Sequence, residues 1–197
     1  MKTRVALIGS GKGIVAEGVL RAARHYKIVA AFADRSCGFA EKIKQASVPT
    51  EVHLYQGFSS REEYDHHLAE RLKLSDPDLI LLVGYMRLIT KPLLEAFSGR
   101  ILNVHPADLT LENRRYAGLN AVQRALEEGH RATRSTVIIV DDGVDTGPIV
   151  TLGPAVPYHG PYPVTKASAA AHQELQKQLS CIPACIEALE RSYLCVE

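Results

Sequence analysis

The sequence lacks an excess of either charge. It carries 23 Lys and Arg residues against 22 Asp and Glu residues in 197 positions, and no run of like charge stands out. Proteins whose main partner is nucleic acid usually show a basic excess or a basic stripe that contacts the phosphate backbone. The composition therefore argues against nucleic acid as the main partner.

The sequence also lacks a long apolar segment. The apolar run that opens the chain ends at Gly9, which is too short for the hydrophobic region of a signal peptide or for a membrane span. We therefore expect no targeting segment, no membrane association and a cytoplasmic location.

Cysteine is scarce, and no C-x-x-C pair occurs. The four cysteines are Cys37, Cys181, Cys185 and Cys195. Cys181 and Cys185 lie one helical turn apart, a spacing open to a metal ion, but no nearby histidine or cysteine pair supports such a site. We expect free thiols, as is typical of a cytosolic protein, and no bound metal.

No internal repeat and no domain linker interrupts the chain. A length of 197 residues with 46% hydrophobic residues suits a single domain over 1–197. Apolar β-rich runs alternate with helical patterns, which indicates an α/β, Rossmann-like fold with a mostly parallel sheet flanked by helices and with antiparallel last strands. The predicted strands are 5–9, 28–33, 51–55, 79–83, 101–104, 135–140 and 149–156. The predicted helices are 15–24, 39–46, 60–74, 92–97, 119–129 and a tail helix over 165–191 that breaks near Pro183.

The glycine-rich stretch "IGSGKGIVAEG" follows the first predicted strand. It is not the phosphate loop of an ATPase, because Gly13 follows Lys12 where Ser or Thr is required. Residues 11–16 fit G-x-G-x-x-A, and Asp34 ends the second strand where a dinucleotide-binding protein places an acid. A helix N-terminus also suits a lone phosphate, and a tight turn needs glycine without any ligand. The stretch alone leaves these three interpretations open.

A second polar pattern, "NVHP", ends the fifth predicted strand. Asn103 and His105 lie two apart and therefore share one face of the sheet, at the strand end where open α/β sheets bind ligands. Asp145 follows in the loop "DDGVDTGP". An amide and an imidazolium can stabilise an oxyanion while a carboxylate manages protons. The residue types alone also allow a surface histidine followed by an ordinary turn.

The segments "GYMRLIT", "GRILNVHPADL" and "VDDGVDTGPIV" resemble the signatures of the folate-dependent formyltransferase family, and the resemblance runs from residue 4 to about residue 156. It implies the formyltransferase fold and transfer of a formyl group from 10-formyltetrahydrofolate to an amine, with phosphoribosylglycinamide as the favoured acceptor. The partners would be these small molecules, in a monomer or homodimer. Alternatives are a different amine, hydrolysis of formyltetrahydrofolate by water, and a nicotinamide-dependent or non-catalytic binding protein.

The resemblance also implies roles for individual residues. Asn103 would bind the formyl oxygen, His105 would stabilise the oxyanion as imidazolium, and Asp145 would pair with His105 or hold a proton-shuttling water. Folate would meet Arg61 at its benzoylglutamate tail, and its pterin would contact Met86, Arg87, Ile89 and the backbone of Val140, Asp141, Asp142, Gly143 and Val144. The substrate phosphate would lie on Ser10, Gly11, Lys12 and Gly13, and its ribose on Glu174 or, in another alignment of the tail, on Gln178.

Two segments depart from the family pattern. The chain reads "HPADLTLENRRYAG" where the family continues "HPSLLP", which adds about three residues beside the site. The glycine loop reads Lys12-Gly13-Ile14 where Gly-Ser-Asn is typical. Because Ile14 cannot cap a helix as Asn does, we expect Lys12 to supply part of the interaction with phosphate.

Overall fold

A computed structural model describes residues 2–194, with side chains through residue 191. Its main sheet has seven strands in the order β3-β2-β1-β4-β5-β7-β8, and β6 pairs with β9 in a separate small sheet. The first five strands of the main sheet run parallel, while β7 and β8 are antiparallel, which confirms the predicted mixed sheet. The strands are β1 Thr3–Gly9, β2 Tyr26–Ala33, β3 Thr50–Val52, β4 Leu79–Val83, β5 Ile101–His105, β6 Ala132–Thr133, β7 Thr136–Ile139, β8 Ile149–Leu152 and β9 Val156–Pro157.

Helices follow most of the strands. They are α1 Ile14–Arg21, α2 Gly38–Gln45, α3 Arg61–Ser75, α4 Lys91–Ala96, α5 Ala121–Glu127, α6 Lys166–Gln176 and α7 Ile182–Leu194. The side chain of Ser60 caps α3 by accepting the backbone N–H of Glu63 at 3.1 Å, a bond that satisfies one of the free donors of the first turn.

Strand β4 lies between two apolar cores, one on each face of the sheet. Leu81 and Val83 face the core that contains side chains of α1, α2 and α7. Ile80 and Leu82 face the other core, which contains side chains of α3 and α4. Alternate residues of one strand thus reach opposite faces of the sheet, and this accounts for the unbroken apolar sequence of β4.

Two predicted strands are shorter in the structure. The prediction of 51–55 is wrong beyond Val52, since a 3₁₀ turn occupies Tyr55–Gly57. The prediction of 149–156 merged two strands. The N–H of Gly153 still donates to the carbonyl of Ser135 at 2.9 Å, but Pro154 has no N–H to continue the ladder, and the chain then joins β6 as β9.

The tail helix breaks before Pro183 rather than at it. A π-helical turn over Lys177–Cys181 separates α6 from α7, and Pro183 lies in the first turn of α7. A π turn widens a helix by one residue, and here it ends two residues before Pro183, whose missing N–H interrupts regular helical bonding.

Cys37, Cys181 and Cys185 are free thiols, as expected, whereas Cys195 lies outside the described residues. Burial raises the pKa of Cys181 to about 11 and raises that of Cys185 well above its ordinary value, so both thiols stay protonated at neutral pH. Within residues 2–194, no group of His, Cys, Asp and Glu is arranged to hold a metal ion, and no helix there is long and apolar enough to cross a membrane.

Candidate active site

A cavity of ≈ 1150 Å³ opens where β1, β4 and β5 end. Pockets for one small ligand usually measure about 300 to 1,000 Å³, so this cavity has room for two substrates. Its wall contains the predicted residues Asn103, His105 and Asp145, then Arg61, Met86, Arg87, Ile89, Val140, Asp141, Asp142, Gly143 and Val144, and finally Ser10, Gly11, Lys12 and Gly13.

Asn103, His105 and Asp145 lie in contact with one another in the cavity wall. The Asn103 Nδ2 atom lies 3.3 Å from Asp145 Oδ1, and His105 Nδ1 lies 3.1 Å from Asp145 Oδ2. Strand β5 carries the first two residues to the same face of the sheet, while the loop after β7 brings the carboxylate to them. The structure thus joins three residues that are up to 42 positions apart along the chain.

The imidazole of His105 faces a hydrogen-bond acceptor at each ring nitrogen. Its Nε2 atom lies 2.8 Å from the carbonyl oxygen of Tyr116, and its Nδ1 atom faces the carboxylate of Asp145. A carbonyl oxygen can only accept, so Nε2 donates to Tyr116, while Nδ1 lies within ion-pair distance of the Asp145 carboxylate. With 5% of the residue exposed, the ring is held in this orientation.

The loop 106–118 holds Asp145 in place. The backbone N–H of Gly118 donates to Asp145 Oδ2 at 2.9 Å, and the guanidinium of Arg114 donates to the carbonyl of Gly147 at 2.9 Å. Asp145 itself has a positive φ of 54°, a conformation that non-glycine residues rarely adopt without support. Sequence reasoning missed Arg114, whereas the glycine of "YAG" was a visible signal for Gly118.

Exposed apolar side chains line part of the cavity. Met86 and Val144, both predicted to lie near a pterin, are exposed, and so is Leu119, which sequence reasoning missed. Exposed apolar side chains that line a cavity are typical of a ligand-binding surface.

The two arginines of the predicted folate site make their own protein contacts. The Arg87 guanidinium lies 3.8 Å from the centre of the Tyr55 ring and donates to Asp34 at 2.7 Å, so it anchors the segment after β4. Arg61 reaches the carbonyl of Leu88 at 3.4 Å from the start of α3.

Asp34 is buried and fully engaged by neighbouring donors. It accepts hydrogen bonds from Ser10 at 2.8 Å, Arg35 at 2.9 Å and Arg87 at 2.7 Å. Burial raises the pKa of Asp34, but these hydrogen bonds outweigh it and lower the pKa to about 2. A carboxylate in this position does not reach a ribose, so the strongest support for the dinucleotide interpretation is lost.

The glycine loop turns sharply into α1. Gly11 and Gly13 have φ values of 74° and 71°, and a Cβ atom on Gly13 would lie 2.6 Å from the Cα of Phe39. Gly13 is also the N-cap of α1 and offers no side-chain bond. Because the hydroxyl of Ser10 is donated to Asp34, the loop presents backbone N–H groups and the exposed side chain of Lys12.

Glu174 contacts the side chain of the glycine-loop residue Lys12. Its Oε1 atom is 3.6 Å from Lys12 Nζ and 2.7 Å from Lys177 Nζ, whereas Gln178 is exposed. Neither Glu174 nor Gln178 lines the cavity itself. Lys177 lines the cavity but was missed by sequence reasoning, because the π turn that places it there leaves no signature in the sequence.

Comparison with known proteins relates this chain to formyltransferases. The formyl transferase family profile matches residues 3–155. The chain is 36% identical over 152 residues to a phosphoribosylglycinamide formyltransferase of Haemophilus influenzae, which covers 75% of this chain and 70% of that protein. It is 35% identical over 156 residues to the trifunctional purine biosynthetic protein adenosine-3 of Drosophila melanogaster, but this match spans only 11% of that protein's length. A solved structure of glycinamide ribonucleotide transformylase 1 from Symbiobacterium toebii superposes with a TM-score of 0.83 at 30% identity, over 98% of this chain and 88% of that one.

Proposed function

The chain belongs to the formyl transferase family, and from that premise we propose that it transfers the formyl group of 10-formyltetrahydrofolate to the amine of phosphoribosylglycinamide. The observation that carries this proposal is the cluster of Asn103, His105 and Asp145 in the wall of a cavity large enough for both substrates. Holding two reactants side by side removes much of the entropic barrier to their reaction.

The chemistry follows from the positions of these three side chains. The amine attacks the formyl carbon, a carbon–nitrogen bond forms, and the carbonyl oxygen becomes an oxyanion. The Asn103 amide donates a hydrogen bond to that oxyanion, and the positive charge of the His105 imidazolium stabilises it electrostatically. Asp145 accepts the proton of the attacking amine, directly or through a water, and passes it to the folate nitrogen. The bond between the formyl carbon and that nitrogen then breaks, the carbonyl re-forms, and tetrahydrofolate leaves as the neutral amine.

The two ends of the cavity suit the two substrates. The apolar rim with Met86 and Val144 suits the flat pterin, supported by Arg87, Ile89 and the backbone of 140–144, and Arg61 suits the carboxylates of the folate tail. At the other end, the backbone of Ser10, Gly11 and Gly13 and the side chain of Lys12 receive the substrate phosphate at the N-terminus of α1. Glu174 then binds the ribose hydroxyls. With these small molecules as its partners, the protein would act in the cytoplasm.

The test is a formyl-transfer assay with purified protein. We expect formylated product with 10-formyltetrahydrofolate and phosphoribosylglycinamide, and no formate release when the amine is omitted. Product only with another amine, such as an amino sugar linked to a nucleotide, would replace the acceptor, and formate release without amine would indicate a hydrolase. A saturable change in fluorescence on titration with NADH would favour a nicotinamide-binding protein instead.

A further inference from the structure

Two lysine ammonium groups share one carboxylate oxygen at the phosphate end of the cavity. Lys177 Nζ lies 2.7 Å from Glu174 Oε1, and Lys12 Nζ lies 3.6 Å from the same atom. The hydrogen bond from Lys177 lowers the pKa of Glu174, and the charges of Lys177 and Lys12 lower it further, so the carboxylate is ionised at neutral pH. The group therefore holds two positive charges and one negative charge.

The two lysines come from different parts of the fold. Lys12 extends from the glycine loop after β1, and Lys177 is the first residue of the π turn that follows α6. Both line the cavity, and the Lys177 side chain is the less exposed of the two, at 30% against 74%. π turns that interrupt α-helices are frequent at functional sites, and this one sets the direction of the Lys177 side chain.

The glycine loop needs such charges if it is to bind a phosphate. The hydroxyl of Ser10 is donated to Asp34, no side chain caps α1, and Ile14 and Val15 follow the cap. The neutral donors are then backbone N–H groups, whereas a phosphate monoester carries about two negative charges at neutral pH. The two ammonium groups of Lys12 and Lys177 balance that charge once the Glu174 carboxylate no longer pairs with them.

We propose that Lys12 and Lys177 together clamp the terminal phosphate of a phosphomonoester substrate, and that Glu174 occupies the clamp until this phosphate displaces it. The inference rests on the proposed function and adds Lys177 as a determinant of substrate specificity. Displacement leaves the carboxylate beside the glycine loop, where it is free to accept hydrogen bonds from the hydroxyls of the substrate sugar.

The kinetic test removes the charge of Lys177. In Lys177→Gln the KM for phosphoribosylglycinamide rises about tenfold, the effect of losing one charge-assisted hydrogen bond, while kcat changes little. Lys177→Arg restores most of the affinity. The matched control is Lys166→Gln, which removes an exposed lysine from the start of the same helix α6 and leaves KM unchanged. An unchanged KM in Lys177→Gln, or an equal rise in Lys166→Gln, overturns the clamp.

A binding test is independent of turnover. By calorimetry, Lys177→Gln weakens the binding of inorganic phosphate and of ribose 5-phosphate, and ribose itself does not bind at the same concentrations. Glu174→Gln does the opposite and tightens the binding of inorganic phosphate roughly threefold, because it removes a competing negative charge. Weaker or unchanged phosphate binding in Glu174→Gln contradicts the displacement. If the wild type fails to formylate any amine, the proposed function fails, yet these binding experiments still decide the clamp.

Discussion

Asp145 Oδ2 lies 3.1 Å from His105 Nδ1 and also accepts the backbone N–H of Gly118 at 2.9 Å. The same carboxylate oxygen therefore connects the end of β5 to the last residue of the loop 106–118. Because the other ring nitrogen of His105 donates to Tyr116 in that loop, the loop fixes both partners of the pair. The loop 106–118 thus supports the candidate catalytic group through Tyr116 and Gly118.

Replacing Asn103 or His105 by alanine tests the oxyanion role. We expect each variant to lower kcat by roughly 10² to 10⁴, the range for loss of one oxyanion donor or acid–base group. Steady-state formyl transfer measures the effect. His66→Ala is the matched control, because His66 is exposed on α3 and stands outside the cavity wall. Turnover within tenfold of wild type in both site variants would exclude the mechanism.

The contact between His105 and Asp145 predicts non-additive effects on catalysis. If Asp145 affects the reaction only through the imidazolium, its contribution to kcat depends on His105. Once His105→Gln has removed the imidazole, Asp145→Asn should therefore lower kcat little further. The double variant should then have nearly the kcat of the slower single variant, as in other groups of residues that act as a unit. Two losses that multiply in the double variant would show that the residues act separately, with Asp145 handling the proton alone.

The mixed sheet was predictable because its strands are strongly patterned. The run "LILLV" is apolar at every position, since β4 contacts a core on each face of the sheet. Short elements were not predictable in the same way. The two residues of β6 carry no pattern, and β9 exists as a separate strand because Gly153 and Pro154 redirect the chain after β8. Their positions depend on tertiary contacts that no local signal encodes.

In the candidate site, too, residues with a local sequence signal were predictable and residues placed by tertiary structure were not. Asn103 and His105 were predictable from their spacing on one strand, and Asp145 from its motif. Lys177 was not, because its side chain reaches the cavity from a π turn, and a shift of one residue in helical register decides which side chains face the ligand. Asp34 illustrates a different limit of sequence analysis. Its position after β2 matches that of the ribose-binding acid in dinucleotide-binding proteins, but the sequence does not show that three neighbouring side chains already donate to its carboxylate.

The two glycines of the loop form a matched pair for a stability experiment. Both have positive φ, so alanine at either position is strained by about 1 to 2 kcal/mol. A Cβ on Gly11 meets nothing within 4 Å, whereas one on Gly13 would lie 2.6 Å from the backbone of Phe39. We therefore expect Gly13→Ala to lower the free energy of unfolding clearly more than Gly11→Ala, as measured by urea denaturation. Equal losses would mean that α2, which begins at Gly38, shifts away without penalty.

Asp34 should make the free energy of unfolding depend on pH in the acid range. Its pKa is about 2 in the folded protein against an ordinary value of 3.8, so the ionised form is favoured by folding. The sign follows directly, because a lowered pKa stabilises the folded protein above the unfolded pKa, and this stabilisation is lost as pH falls towards the folded pKa. The shift corresponds to about 2 kcal/mol near pH 7, of which about half is lost by pH 3.

Urea denaturation of the wild type and of Asp34→Asn at several pH values between 7 and 3 measures this contribution. The variant leaves Arg35 and Arg87 without their carboxylate partner, so it should be the less stable protein at pH 7. The difference between the two proteins should then shrink as the pH falls, because protonation removes the same charge from the wild type. Asp142→Asn, a change at an exposed carboxylate, should show no such convergence. A difference between wild type and Asp34→Asn that stays constant down to pH 3 would mean that the hydrogen bonds from Ser10, Arg35 and Arg87 do not depend on the charge of Asp34.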